Sequence, residues 1–379
     1  MFNIKFIINC EKCGKDYELK DKDNAKKEIC DSCEVVDRFN FIEVCAGAGG
    51  LSTGLIKSGF SPLLLNDKDK DCIQTLKENH PDCEIFKGNM TDINWEKYIG
   101  KIELLTGGVP CQSFSQAGKR KGLDDPRGDL LSKFIEIVEK VKPKTFMIEN
   151  VKGLINHNKG ETFKNILKKI ESSDFYDIFY KVLDASKYGV PQKRERVFII
   201  GVKKGYKNFF KFPQEEKKVK ILREVLTDIR LSECAQYSEE KKELFKNIPQ
   251  GGCWIDLPIE IQKKYLGKSF YSGGGKRGIL YRLSLDKPSL TLLCSPSQKQ
   301  TERCHPLEER PLSIAEYARI QTFPDSYIFK GSMSSKYRQI GNAVPVVLAE
   351  KIGQSLIDVL RVINIKNKRN RKRKLQKES

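Results

Sequence analysis

Residues 107–115 (GGVPCQSFS) set one cysteine, Cys111, on a Gly/Pro turn that follows a short apolar run. A thiol presented there, beside main-chain donors, has the setting of a nucleophile. The plain alternative is a buried structural thiol on a turn. A second reactive group follows. Glu149 stands at the tip of the apolar run 145–148, just before Asn150 and Val151. A carboxylate at the end of an apolar strand is costly unless it is paired or used, although it could also cap the segment that follows.

The elements around these residues explain how they would meet. Residues 102–106 read as a short buried strand, and the turn after it lifts the next side chains toward a cleft. Residues 116–128 hold glycines and charges around a proline and read as a mobile lid. Leu130, Leu131, Phe134, Ile137, Val138 and Val141 recur at helical spacing until Pro143, after which 145–148 reads as the next buried strand. In an open parallel sheet these two strands end side by side. Further upstream, the apolar run 39–46 ends in Gly47, Gly49 and Gly50, and Leu51, Leu55 and Ile56 open a helix. That strand, Gly-rich turn and helix alone would be a weak dinucleotide signal. Ser52 stands where a nicotinamide fingerprint wants its third glycine, and no cation for a pyrophosphate is evident. Asp67 follows the apolar run 63–65 about 20 residues on, where an acid would hold a ribose hydroxyl.

Six stretches, in one order, resemble the cytosine-C5 DNA methyltransferases of bacterial restriction–modification type. They are 41–50 (FIEVCAGAGG), 107–115, 149–151 (ENV), 192–196 (QKRER), 310–325 (RPLSIAEYARIQTFPD) and 339–345 (QIGNAVP). The resemblance covers about residues 38–201 and 282–357. It implies an α/β fold: a doubly wound S-adenosylmethionine-dependent methyltransferase sheet with a smaller target-recognition domain. It implies Cys111 as the nucleophile toward C6 of a flipped cytosine, with Glu149 at N3 and the exocyclic amine. Arg196 would hold O2, Arg194 would support the site or a phosphate, and Asn342 would position Cys111 or the recognition domain. Arg196 as a surface arginine and Asn342 as a turn residue are the plain alternatives. The implied S-adenosylmethionine set is Cys45, Gly47, Gly49, Gly50, Leu51, Asp67, Asn89, Met90 and Pro110. Two departures stand out: the family commonly has Asp-Leu-Phe at 43–45 and Asp at 89, where this chain has Glu43-Val44-Cys45 and Asn89.

Composition agrees with a polyanionic partner. The 379 residues carry a formal charge of +19, which favours double-stranded DNA and salt-dependent binding. No apolar run approaches the ~20 residues of a membrane span and the N-terminus lacks a signal-peptide pattern, so a cytoplasmic enzyme is expected. Twelve cysteines in such a chain argue for metal and catalysis before disulfides. Cys10-x2-Cys13 and Cys30-x2-Cys33 have the spacing of a zinc ribbon, with a vestigial site or redox pair as alternatives.

The expected organisation is a zinc-ribbon-like appendage at 1–36, a catalytic cofactor-binding domain at 37–202 and a target-recognition domain at 203–333. A return to the catalytic domain follows at 334–362, then a basic disordered tail at 363–379. The tail is either a solvated arm or a DNA-tracking one. Glycines and aromatics between Gly251 and Gly278 suit close approach to DNA, or a flexible loop. A monomeric modification enzyme with a cognate restriction endonuclease encoded nearby is the leading expectation. A tRNA cytosine-C5 methyltransferase is the nearest alternative, disfavoured because no Cys-Phe-Thr signature occurs in the recognition region. A non-catalytic DNA-binding protein is the other.

Overall fold

The computed structural model describes residues 6–9, 16–19, 39–109, 129–229, 232–271, 278–299 and 301–378. The chain forms two compact units, Met1–Arg38 and Phe39–Ser379. In the first, β1 (Phe6–Asn9) and β2 (Asp16–Leu19) pair antiparallel, with Asn9 opposite Asp16. Cys10, Cys13, Cys30 and Cys33 lie outside the described residues.

The second unit begins with β3 (Phe39–Val44), α1 (Gly50–Ser58), β4 (Phe60–Asp67), α2 (Lys70–Asn79), β5 (Glu84–Lys87) and β6 (Leu104–Gly107). It continues with α3 (Asp129–Val141), β7 (Thr145–Val151), α4 (Gly153–Asn156), α5 (Glu161–Glu171), β8 (Tyr176–Asp184) and β9 (Glu195–Lys203). Five helices close the chain: α6 (Glu239–Lys246), α7 (Ile259–Leu266), α8 (Ile314–Ile320), α9 (Met333–Asn342) and α10 (Val346–Glu378). Seven strands make one sheet in the order β5-β4-β3-β6-β7-β9-β8. The first five run parallel and β9 runs antiparallel to both β7 and β8.

Strand alternation assigns the sheet's two faces. Phe41, Leu104, Met147, Phe198 and Ile200 turn to one side, where they pack with Leu51, Leu55 and the α10 residues Leu348, Ile352, Leu356 and Ile363. Their neighbours Ile42, Leu105, Phe146, Ile148, Val197 and Ile199 turn to the other, against Phe134, Ile135 and Val138 of α3. Near-continuous apolar runs are what a sheet covered on both faces requires. Gly50 and Gly54 let α1 lie directly on the chain entering α10. A Cβ at either would fall well inside contact distance of a main-chain carbonyl, Val344 O or Val346 O.

The region after β9 has a different texture. Among its described residues up to 333 there are three short α-helices and isolated bridges, with no paired strand. One small core joins Tyr237, Phe245, Trp254, Leu257, Leu266 and Leu280. A second joins Leu222, Leu283, Leu292, Leu312 and Tyr317 to Ala48, Tyr337, Ile340 and Val346, so this region shares its packing with the turn after β3 and with α9 and α10. The expectation of a disordered tail from 363 is corrected: α10 continues to Glu378. The apolar first half of the helix removes the nucleation cost, and lysine and arginine propagate a helix well.

Candidate active site

The parallel strands β3, β4, β6 and β7 deliver their carboxyl ends to one edge of the sheet. The chain winds from β3 outward to β4 and β5, then restarts at β6 and proceeds the other way to β7. Strand order reverses between β3 and β6, and ligands of open α/β sheets bind outside such a reversal. A cavity of about 500 Å³ lies there, lined by the ends of all four strands and by Arg338, Gln339, Asn342, Ala343 and Val344.

Its first wall is the Gly-rich turn. Cys45 (φ 52°), Gly47 (φ 57°) and Gly49 (φ 77°) have left-handed backbones that reverse the chain between β3 and α1. A Cβ at Gly49 would come within 2.7 Å of the Tyr327 hydroxyl, so close packing and conformation both select glycine. Asp67 ties this turn to β4: one carboxylate oxygen accepts from Gly47 N–H (2.8 Å) and the other from Asp69 N–H (2.9 Å). Each oxygen keeps capacity for a further donor. Cys45, Gly47, Leu51 and Asp67 line the cavity, whereas Gly49 and Gly50 build the turn behind it. Asn89 is exposed, Met90 is buried in the core beside α3, and neither lines the cavity.

The wall contains an acid that the sequence marked only as a departure from the family pattern. Glu43, inside β3, is 2% exposed, and its Oε2 has no hydrogen-bond partner. Burial pushes its carboxyl up to about 8, with Asp67 and Glu149 adding to the rise. The folded protein therefore favours neutral Glu43. That contribution is complete below the ordinary value of 4.5 and is lost as pH rises to about 8. The unliganded protein is expected to lose stability across that window, and Glu43→Gln to flatten the loss; urea unfolding at a series of pH values checks it. A flat wild-type profile would remove this role. The signal was present in the sequence as a carboxylate within the apolar run 39–44, the same logic that singled out Glu149.

The opposite wall carries the catalytic candidates. Glu149, on β7, is 8% exposed, and its Oε1 lies 3.0 Å from Arg196 Nε. The β7–β9 register sets Glu149 opposite Phe198 and Val151 opposite Arg196, so acid and arginine are diagonal neighbours on one face. Burial raises the Glu149 carboxyl above its ordinary value, while Arg196 and then Arg194 pull it down. Asn150 turns the other way, and its Nδ2 donates to Val109 O at 3.0 Å. This bond fixes the chain where β6 ends. Pro110 and Cys111 follow directly and lie outside the described residues, as does the expected lid at 116–128.

Beneath the site lies a buried polar clasp. Arg194 is 1% exposed; Nη1 donates to Leu292 O (3.2 Å) and Nη2 to Gly341 O (2.9 Å) and Asn342 O (3.3 Å). Gln192 accepts from Leu292 N–H (2.9 Å) and donates to Gln321 Oε1 (3.1 Å). Gln321 donates in turn to Ile340 O (2.7 Å) and Ala343 O (3.2 Å). The 192–196 stretch thus holds the segment around Leu292 and the α9–α10 turn together. Of the two roles expected for Arg194, the supporting one fits this burial, since a phosphate could not reach it. Asn342 Oδ1 accepts from Cys294 Sγ (2.9 Å), which joins its side chain to the segment after Leu292. At the cavity rim Arg338 Nη2 donates to Asp69 Oδ2 (3.0 Å).

The donor set suits a cationic nucleoside. Asp67 offers carboxylate oxygens to ribose hydroxyls, a cationic group bound beside Glu43 would draw its neutral carboxyl toward the carboxylate, and the volume is that of a small-molecule site.

Comparison with known proteins gives a consistent picture. Residues 39–358 match the family described as C-5 cytosine-specific DNA methylase. Type II methyltransferase M.Sau96I of Staphylococcus aureus is 47% identical over 333 residues, covering 86% of this chain and 77% of the relative. Type II methyltransferase M.Eco47II of Escherichia coli is 45% identical over 336 residues, covering 86% and 80%. Among solved structures, the Entamoeba histolytica methyltransferase EhMeth aligns with a TM-score of 0.62 at 17% identity, covering 86% of this chain and 99% of that one. At that identity the likeness speaks for the fold alone.

Proposed function

The chain belongs to the C-5 cytosine-specific DNA methylase family and is a DNA (cytosine-5-)-methyltransferase, and from that premise we propose how its residues perform the reaction. The substrate is a cytosine flipped out of duplex DNA, because C5 and C6 are inaccessible in the stack. The Cys111 thiolate adds to C6, which interrupts ring aromaticity and places electron density on C5. Glu149 faces N3 and the exocyclic amine, and Arg196 both orients Glu149 and holds O2. S-adenosylmethionine, when bound over the Gly47 turn with Asp67 at its ribose, supplies an electrophilic methyl group. C5 attacks that methyl carbon as the methyl–sulfur bond breaks and the neutral thioether S-adenosylhomocysteine leaves; loss of the C5 proton to solvent and departure of the Cys111 thiolate then restore the ring.

The observation that carries this reading is the buried Glu149–Arg196 pair on the wall opposite Asp67, with Asn150 pinning Val109 beside it. A raised Glu149 pKa favours the protonated acid that N3 requires.

The type II names of the relatives support a modification enzyme of a restriction–modification pair, protecting its own DNA from a cognate endonuclease. It would act as a cytoplasmic monomer; no helix among the described residues is long and apolar enough to cross a membrane. The test is transfer of labelled methyl groups to duplex DNA and to tRNA, followed by bisulfite mapping. Methylation at one short DNA sequence is expected. Transfer to tRNA alone, or to neither, would overturn the assignment.

The N-terminal cysteines form a separate proposal, a structural zinc held by Cys10, Cys13, Cys30 and Cys33. No metal-binding cluster occurs among the described residues. Support comes from the hairpin: Cys10 and Cys13 fall in the short connection between β1 and β2, the usual place of a zinc knuckle. Metal analysis is expected to find one zinc per chain, lost when either pair is changed to serine. Four thiolates leave no open position, so removing residues 1–36 should leave the chemical step intact at saturating DNA. A metal-free purified protein would refute the site.

A further inference from the structure

We infer that the last third of α10 is a second DNA-contacting element, gripping duplex that lies away from the stretch held at the catalytic edge. The inference rests on the family assignment for its partner and on the course of one helix for its place. α10 starts beside the site, where Val346 N–H donates to Gln321 O (3.2 Å) and Ala343 and Val344 line the cavity. From there it crosses the sheet, burying Leu348, Ile352, Leu356 and Ile363 in turn. It emerges at the opposite edge. Lys144, which precedes β7, donates to Asn364 Oδ1 (2.8 Å), and Lys366 Nζ lies 4.6 Å from the Phe209 ring centre, just beyond the end of β9. β9 is antiparallel to β7, so both contacts mark the amino edge of the parallel strands.

Composition changes where the helix leaves the body. Between Lys366 and Lys377 eight of twelve residues are lysine or arginine, and no acid occurs before Glu378. Twelve helical residues span ~18 Å, a length over which duplex DNA presents about ten phosphate charges. Leu375 is the one aliphatic residue in that stretch, so it lacks the apolar stripe that a lipid surface or a protein groove would require. Like charges one turn apart also repel, which an anionic partner relieves.

Distance separates this element from the cleft. Val346 and Ile363 are ~26 Å apart along the helix, about three Debye lengths at physiological salt, so the cationic end has little electrostatic effect on DNA in the cleft. It acts only on duplex long enough to bend around the lobe, or on a second segment.

The full chain and a variant carrying R369Q, R371Q, K372Q, R373Q and K374Q would be compared on two duplexes containing the mapped site. One is about one and a half helical turns long and the other about six. On the long duplex the variant is expected to bind at least ~10-fold more weakly at low salt. Its log K against log salt slope should shrink by about 3 to 4, at ~0.9 per released phosphate contact. On the short duplex affinity and methylation rate should match the unaltered protein. Unchanged binding to the long duplex would overturn the proposal, as would an equal loss on both. Absence of methylation by the unaltered protein on either duplex would instead refute the enzymatic reading, and the binding comparison stands without it.

Discussion

Cys111→Ser is expected to lower methyl transfer by about 10⁴-fold or more, the scale on which removal of an essential nucleophile acts. The reason lies in the ring. C5 of cytosine attacks a methyl donor only after addition at C6 has broken the aromatic system, and a serine hydroxyl, un-ionised at neutral pH, makes a poor adduct there. Duplex binding should survive, because phosphate contacts provide most of the affinity. A gel-stable covalent complex should form between the unaltered protein and DNA carrying 5-fluorocytosine at the target, where fluorine cannot depart as the proton does, and should be absent with the serine variant. Full turnover by the variant would end this mechanism.

Glu149→Gln should slow the chemical step by about 10²–10⁴-fold, the range of general acid–base catalysis. Glutamine keeps the length of the side chain and a hydrogen bond to the base. It neither delivers a proton to N3 nor balances the Arg196 guanidinium 3.0 Å away. Single-turnover rates with both substrates saturating isolate the effect, and cofactor affinity should change little. Collapse of cofactor binding with an unaltered rate would assign Glu149 to the other wall of the cavity.

The strands that bear the candidate site were legible in the sequence because their signals are local. The apolar runs 102–106 and 145–148 have strand length, and the structure places β6 and β7 side by side with parallel ends. The Gly-rich turn after β3 was legible for the same reason. Glu43 stood out in the sequence only as a departure from the family pattern, because its burial depends on the sheet closing over both faces. The clasp could not be read at all: Arg194 meets carbonyls 98 and 147 residues further along the chain, and no periodicity encodes such pairs. The basic end of α10 was misjudged because its charge pattern was read alone, without the apolar helix that nucleates it.

The glycine contacts between α1 and the entry to α10 also govern how the protein comes into being. Val344 and Val346 complete the packing under a turn that the ribosome made roughly 290 residues earlier, or about 15–60 s at bacterial rates of synthesis. Until those residues emerge, α1 has no partner for its glycine face and the nascent chain cannot close the cofactor cavity. Closure of that packing therefore waits on the synthesis of Val344 and Val346, and a chain interrupted before them leaves the glycine face of α1 uncovered.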